Sequence, residues 1–199
     1  MSTNRIAVSR SSPHTILSFD CATSAGAVCA LIGERSGLGW TERAAALTYL
    51  IDDLVDDPRS IEAIVVGTGP GSFTSIRIAL ATARGLALAL EVPVAGSSTL
   101  SAFTRGVPVI DARRGEVFSE GGVVCRPEEL DVAGKVLVGD GAIRYRVVFE
   151  AAGAIIPPDH DHSAHRPDPY TLAAHAGPFG PVEDVDPLYL RVPDAKPSG

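Results

Sequence analysis

A chain of 199 residues that is 45% hydrophobic and 21% charged has room for one domain or two small ones and the makeup of an ordinary soluble globular protein. A formal net charge of -7 argues against tight, unaided nucleic-acid binding, which needs a basic face, and leaves room only for a local basic patch. No basic segment runs into an apolar one as in a signal peptide, and the three cysteines, Cys21, Cys29 and Cys125, odd in number and in apolar surroundings, read as reduced, buried small hydrophobes of a cytoplasmic protein.

Residues 1–13 are polar and read as a loose tail. A strand is expected over 15–19, with Asp20 at its end, and a second over 27–32. The turn Gly33-Glu34-Arg35-Ser36-Gly37 then leads to a short third strand over 38–40. Residues 41–55 have the spacing of an amphipathic helix, with Leu47, Leu50, Ile51 and Leu54 on one face, and Pro58 stops it. Asp52, Asp53, Asp56 and Asp57 fall in or just past its last turn, where carboxylates oppose the helix dipole. They read either as a solvated acidic end or as a contact for a basic partner.

The chain is organised around residues 61–90. A β-branched run over 61–66 reads as a buried strand, and 67–71 as a glycine-rich turn with Pro70 inside it. Ser72 or Thr74 then caps a helix that continues to about Leu90. Only Arg77, Thr82 and Arg84 interrupt its apolar surface. The two arginines are seven apart and share one narrow stripe. A helix apolar nearly all round is buried on both sides, and a chain this short has little room to enclose one. One face is expected to cover the sheet and the other to meet a second protein; the alternative is a central helix inside its own domain. The arginines and Gly85 argue against a membrane span.

A strand over 92–95 and a short helix opened by Ser97-Ser98-Thr99-Leu100 complete an α/β layer with a mixed sheet. Residues 107–111 form another apolar strand ending in an aspartate, as at Phe19-Asp20, so the two halves look like weak structural repeats. A hairpin over 115–125, a helix start at 127–130, a strand over 136–138 and a helix over 145–152 follow. Residues 156–168, rich in Pro, His and Asp, read as a loop, 169–176 as a short helix, and 187–191 as a final ordered contact before a Pro-rich tail.

Three constellations could carry chemistry. The turn at Gly69, Gly71, Ser72 and Thr74 sits where a strand feeds a helix and could offer backbone N–H groups to an anion. It is neither a Walker loop nor a dinucleotide fingerprint, and a tight structural turn explains it as well. Asp20 and Asp111 each end a strand that opens a half. Facing one cleft, they could hold Mg²⁺ and a nucleotide's phosphates; otherwise each caps its own loop. His160, His162 and His165 have the residue types for zinc but lack a helix to fix them and the His-Glu-x-x-His pattern, so a solvated loop is expected. No catalytic triad stands out, and Cys21 beside Asp20 has no basic neighbour to activate it.

The stretches Thr15-Ile16-Leu17-Ser18-Phe19-Asp20-Cys21-Ala22-Thr23-Ser24, Gly67-Thr68-Gly69-Pro70-Gly71-Ser72-Phe73-Thr74-Ser75-Ile76-Arg77-Ile78 and Ile110-Asp111-Ala112-Arg113-Arg114-Gly115-Glu116-Val117-Phe118 resemble the TsaB (YeaZ) family. Gly96-Ser97-Ser98-Thr99-Leu100, Val138-Gly139-Asp140-Gly141-Ala142 and Leu188-Tyr189-Leu190-Arg191 fit it too, so the resemblance spans about residues 15–192. It implies the actin-like, Hsp70-like ATPase fold with two ribonuclease-H-like halves, here 14–104 and a shortened 105–192, between tails at 1–13 and 193–199. It also implies a non-catalytic subunit that scaffolds a TsaD-like threonylcarbamoyltransferase, joined by a TsaE-like ATPase, in making threonylcarbamoyladenosine beside the tRNA anticodon.

The same resemblance implies self-pairing when the partner is absent, contact with tRNA only through the complex, no resident metal or cofactor, and ATP or ADP at most at the partner junction. Asp20 and Asp111 become vestigial carboxylates of a nucleotide cleft. The family's interface helices match 41–55 and 72–90, with Leu47, Leu50, Leu54, Ile76, Leu80, Ala83 and Arg84 as expected contacts. Three positions depart from the family pattern: Arg43-Ala44 where His-Ser is common, Ser75 in place of glycine, and a hairpin clipped to Ser119-Glu120-Gly121-Gly122. A phosphoryl-transferring ATPase of the same fold, and last a metallopeptidase of the related glycoprotease group, are the competing readings.

Overall fold

The computed structural model describes residues 13–190. The expected tails, apart from Pro13, and Arg191 of the final contact lie outside them. The first sheet has the order β3-β2-β1-β4-β5, built from β1 (Ile16–Asp20), β2 (Ala27–Ile32), β3 (Gly37–Thr41), β4 (Ala63–Gly67) and β5 (Val94–Ser97). β1 pairs antiparallel with β2 and parallel with β4, so the sheet is mixed. Strand alternation sorts the side chains. Leu17, Phe19, Cys29, Leu31, Ile64 and Val66 join one core cluster, while Ile16, Val65 and Ala95 join another.

The first cluster is closed by α1 (Leu47–Leu54) and α2 (Phe73–Leu90). α2 buries Ile76, Ala79, Leu80, Ala83 and Ala87, spaced three or four apart on one stripe. Full burial of Ile76 and Leu80 is worth roughly 1.5–3 kcal/mol each. α1 contributes Leu47 and Ile51. It starts later than the sequence suggests because Thr41 is still paired with Ala27 in the sheet and Arg43 is extended. Leu50 and Leu54 lie over Gly39 and Gly37 of β3, where a Cβ would come within 2.6 Å and 3.1 Å of their methyl groups.

A second sheet, β8-β7-β6-β9, is formed by β6 (Val107–Arg113), β7 (Glu116–Ser119), β8 (Val123–Cys125) and β9 (Leu137–Val138). It repeats the first in order and sense: two antiparallel neighbours on one side, a parallel one on the other. The fifth strand is reduced to a single parallel bridge, Val136 to Ile155. The place of α2 is taken by two short helices, α3 (Asp140–Arg144) and α4 (Arg146–Ala151). This is the shortened second half that the sequence implies.

Several expectations need correction. The division at residue 104 is not clean, because the chain returns to the first sheet. α6 (Pro169–Ala174) covers the face opposite α2, with Leu172 packed on Val65 and Ala95. Ser18 Oγ donates to the Pro169 carbonyl at 2.7 Å, and Val94 bridges to Gly180. The histidine-rich stretch is not simply a solvated loop, because α5 (His162–His165) buries His165, whose ring nitrogens each face a carbonyl oxygen, of Gly139 and of Pro157, at 3.2 Å. Of the three free cysteines, Cys125 is only partly buried, since β8 is an edge strand.

Leu47, Ile76, Leu80 and Ala83 also need correction as contact residues. They are at most 4% exposed because they are the inward stripe that anchors both helices. Leu80→Ala is therefore expected to cost about 2–5 kcal/mol, read from urea midpoints, and Leu80→Glu to abolish folding. A folded Leu80→Glu protein would place this residue on the outside of the helix.

Candidate functional site

The glycine turn between β4 and α2 is shaped by close approach. A Cβ on Gly67 would collide with the Asp20 carboxylate, and one on Gly71 with the Ala22 carbonyl. Gly69, at φ +100°, would meet Ile76 at 2.6 Å. Ser72 donates its N–H to the Ala22 carbonyl at 2.7 Å, and its hydroxyl accepts from the Ser75 N–H and hydroxyl. The Gly69 carbonyl accepts from the Thr99 N–H at 2.8 Å, and the Thr68 carbonyl from the Leu188 N–H at 2.8 Å. Ser72 thus spends its N–H inside the fold and uses its hydroxyl oxygen as an acceptor, so its backbone is removed from the expected anion cradle. Thr74 stands exposed on the first turn of α2.

The carboxylates at the strand ends are equally engaged. Asp20 is buried and accepts from the Ala22 N–H at 2.7 Å and the Thr99 hydroxyl at 2.6 Å. Asp111 accepts from the Arg113 N–H at 2.9 Å and pairs with the guanidinium groups of Arg113, at 3.2 Å, and Arg144, at 3.6 Å. A third aspartate, Asp140, joins the two sheets: one oxygen accepts from the Ser24 N–H at 2.7 Å, the other from the Asp111 N–H at 3.1 Å. Sequence reasoning missed this stitch, although Gly139-Asp140-Gly141 stood in the matched motif. Among the described residues no group of three or more His, Cys, Asp or Glu is placed to hold a metal ion.

Burial also silences the cysteines. It pushes the Cys21 thiol well up, with the charge of Asp20 adding to the rise, and the Cys29 thiol up to about 12, so neither is a nucleophile near neutral pH.

The other surface is the outer side of the two helices. On α2 the residues Phe73, Thr74, Arg77, Ala81, Arg84, Gly85, Leu88 and Ala89 are exposed, with Leu88 at 82% and, on α1, Tyr49 at 75%. Of the expected contacts only Arg84 lies fully on this side, and Leu50 and Leu54 are half-buried. Ala81, Gly85 and Ala89 follow one another at four-residue spacing. A Cβ on Gly85 would meet nothing within 4 Å, so the fold does not require this glycine, and in a helix interior it costs about 1 kcal/mol against alanine. The start of the face is fixed by the returning chain, through Phe73 against Tyr189 at 5.0 Å and Arg77 stacked 3.8 Å over Phe73. By length and composition α2 could cross a membrane, yet its inner stripe is docked on the sheet.

Comparison with known proteins agrees with this architecture. Residues 44–139 match the family described as TsaD, tRNA N6-adenosine threonylcarbamoyltransferase. An uncharacterised protein of Mycobacterium tuberculosis is 33% identical over 96% of this chain and 98% of its own length. The tRNA threonylcarbamoyladenosine biosynthesis protein TsaB of Escherichia coli is 44% identical over 29% of each chain. In three dimensions, YeaZ from Pseudomonas aeruginosa superposes with a TM-score of 0.71 at 25% identity, over 88% of this chain and 99% of that one. A Pseudomonas aeruginosa protein with similarity to peptidase YeaZ gives 0.73 at 26% identity, over 89% and 99%.

The buried carboxylate makes the site sensitive to pH. Burial raises the Asp20 carboxyl above its usual range, against the lowering pull of Thr99 and Ala22, and the charge of Asp140 raises it further. A carboxyl raised in the folded state contributes stability that is present below its unfolded value and lost as pH climbs through the folded one. Relative to Asp20→Asn, the wild-type urea midpoint should therefore fall as pH rises from about 4 towards neutrality. Parallel profiles for the two proteins would show that Asp20 ionises without penalty.

Proposed function

Since this chain belongs to the TsaB (YeaZ) family, we propose that it acts in tRNA threonylcarbamoyladenosine biosynthesis as a non-catalytic scaffold for a TsaD-type threonylcarbamoyltransferase, docking through the outer faces of α1 and α2. The observation that carries the docking surface is Gly85. A helix that tolerates a glycine its own domain does not need, between two exposed alanines and beside the exposed Leu88, has a surface on which another helix could pack closely. When the transferase is absent, the same face is open to a second copy of the chain. A TsaE-type ATPase joins the complex rather than this helix pair.

Engagement of Asp20 and Asp111 by their own neighbours supports the non-catalytic part. Phosphoryl transfer needs groups positioned on metal ions and phosphates, and here the carboxylates are spent on Thr99, Ala22, Arg113 and Arg144. Packing of His165, one of the three candidate histidines, between two carbonyls weighs against the peptidase reading. Robust ATP or peptide turnover by the isolated protein, abolished by Asp111→Ala, would displace the scaffold reading.

The docking surface is tested by Gly85→Leu and Leu88→Glu. Both positions face open space, so Leu88→Glu should keep the wild-type unfolding free energy within about 0.5 kcal/mol and Gly85→Leu should raise it by up to about 1 kcal/mol through helix propensity. Co-purification with the TsaD-type partner, or self-association followed by light scattering, should weaken at least tenfold. Unchanged association of well-folded variants would move the docking site elsewhere.

A further inference from the structure

The hairpin that joins β6 to β7 is built unusually. Arg114 and Gly115 are the two turn residues between the paired Arg113 and Glu116, with φ +57° and +80°. A two-residue turn with both central φ values positive favours Asn-Gly or Gly-Gly; an arginine occupies the first place here. Arg113 beside it is also left-handed, at φ +63°, and the pairing slips by a bulge between Asp111 and Arg113. Bulges re-aim side chains and cluster near binding sites. Two successive non-glycine residues in a disfavoured backbone region persist only where the surroundings enforce it.

The distortion brings charge together. Arg113 and, from α3, Arg144 converge on one carboxylate, that of Asp111. The carboxylate side chain is 4% exposed, whereas the guanidinium-bearing side chains are 62% and 55% exposed. The carboxylates of Asp111 and Asp140 balance the two cations in number, but each guanidinium meets Asp111 through one nitrogen and keeps further N–H donors at the surface. The junction is held in place by Asp140, which ties Asp111 to Ser24 of the first half. On a chain of net charge -7 these are two guanidinium groups held side by side at the surface.

We infer that Arg113 and Arg144 form a phosphate-binding site for the backbone of RNA, seated on the buried carboxylate of Asp111. The exposure of both guanidinium groups on a hairpin tip and a short helix suits a phosphodiester passing over a surface. A mononucleotide would need walls. The RNA named here rests on the tRNA-modification reading above, and the site gives the protein a direct contact with that substrate, in place of contact only through the complex.

The test is fluorescence anisotropy of labelled tRNA with the full-length protein alone, across a salt series, with association to the TsaD-type partner measured separately. Arg113→Gln with Arg144→Gln should weaken tRNA binding at least tenfold and lower the slope of log K against log salt by about 1–2, as loss of two phosphate contacts requires. Asp111→Asn keeps both arginines, removes the competing anion and should tighten binding several-fold, which guards against a double variant that fails to fold. Equal affinity and slope in folded wild-type and double-variant proteins would overturn the site, as would an Asp111→Asn protein that binds no tighter. Arginine-dependent binding of ATP or inorganic phosphate without binding of tRNA would overturn the RNA assignment. Failure of the wild-type protein to associate with the TsaD-type partner would count against the scaffold reading and leave this one standing, whereas a double variant that loses only partner association would overturn this site.

Discussion

The structure depends on one line of contact, the packing of Ile76, Ala79, Leu80, Ala83 and Ala87 of α2 onto the first sheet. That stripe fixes the rotation of an 18-residue helix and so decides what its other side shows. Because the inner face takes the isoleucine and the leucine, the outer face is left with Ala81, Gly85 and Ala89 along one line, and arginines beside them. The inner side thus carries the packing, and the outer side stays exposed. The glycine turn serves the same end. Its residues press against Asp20 and Ala22, which seats the first turn of α2 directly over the carboxyl end of β1.

Much of this was legible in the sequence, and the failures have a common cause. Strands ending in Asp20 and near Asp111, the turn, and the long helix followed from β-branched runs, glycines and a capping serine. Which face of the helix points inward did not, because a helix apolar almost all round has a weak amphipathic signal. Ile76, Leu80 and Ala83 look as greasy as Leu88; only the positions of Arg77, Arg84 and Gly85 mark the outside. Contacts far apart in sequence were invisible for a different reason. Nothing local announces that Asp140 accepts from Ser24, 116 residues away, or that Leu172 covers Val65. The return of the C-terminal segment to the first sheet is such a contact, and it blurs the boundary that the family resemblance implies near residue 104.

The two halves repeat one topology but have diverged in how they neutralise the carboxylate at the strand end. In the first half Asp20 is met by a hydroxyl and an N–H and carries the cost of burial. In the second, Asp111 is met by two guanidinium groups, a charged solution to the same desolvation problem. The difference follows from what surrounds each. Asp20 lies under a long helix and a tight turn, with no room for an arginine. Asp111 lies beside a clipped hairpin and a five-residue helix, and both elements can deliver long side chains from the surface.

That asymmetry bears on how an acidic protein could work on an acidic polymer. A uniformly basic face would bind RNA wherever it met it. A pair of arginines anchored on a buried carboxylate binds weakly by itself, because the anchor offsets part of the charge, and it acts usefully only when other contacts hold the polymer near. The outer faces of α1 and α2 are where a partner could supply those contacts. The left-handed backbone at Arg113 and Arg114 is then understandable as the cost of keeping the Arg113 side chain on Asp111, which a relaxed turn would leave free to swing.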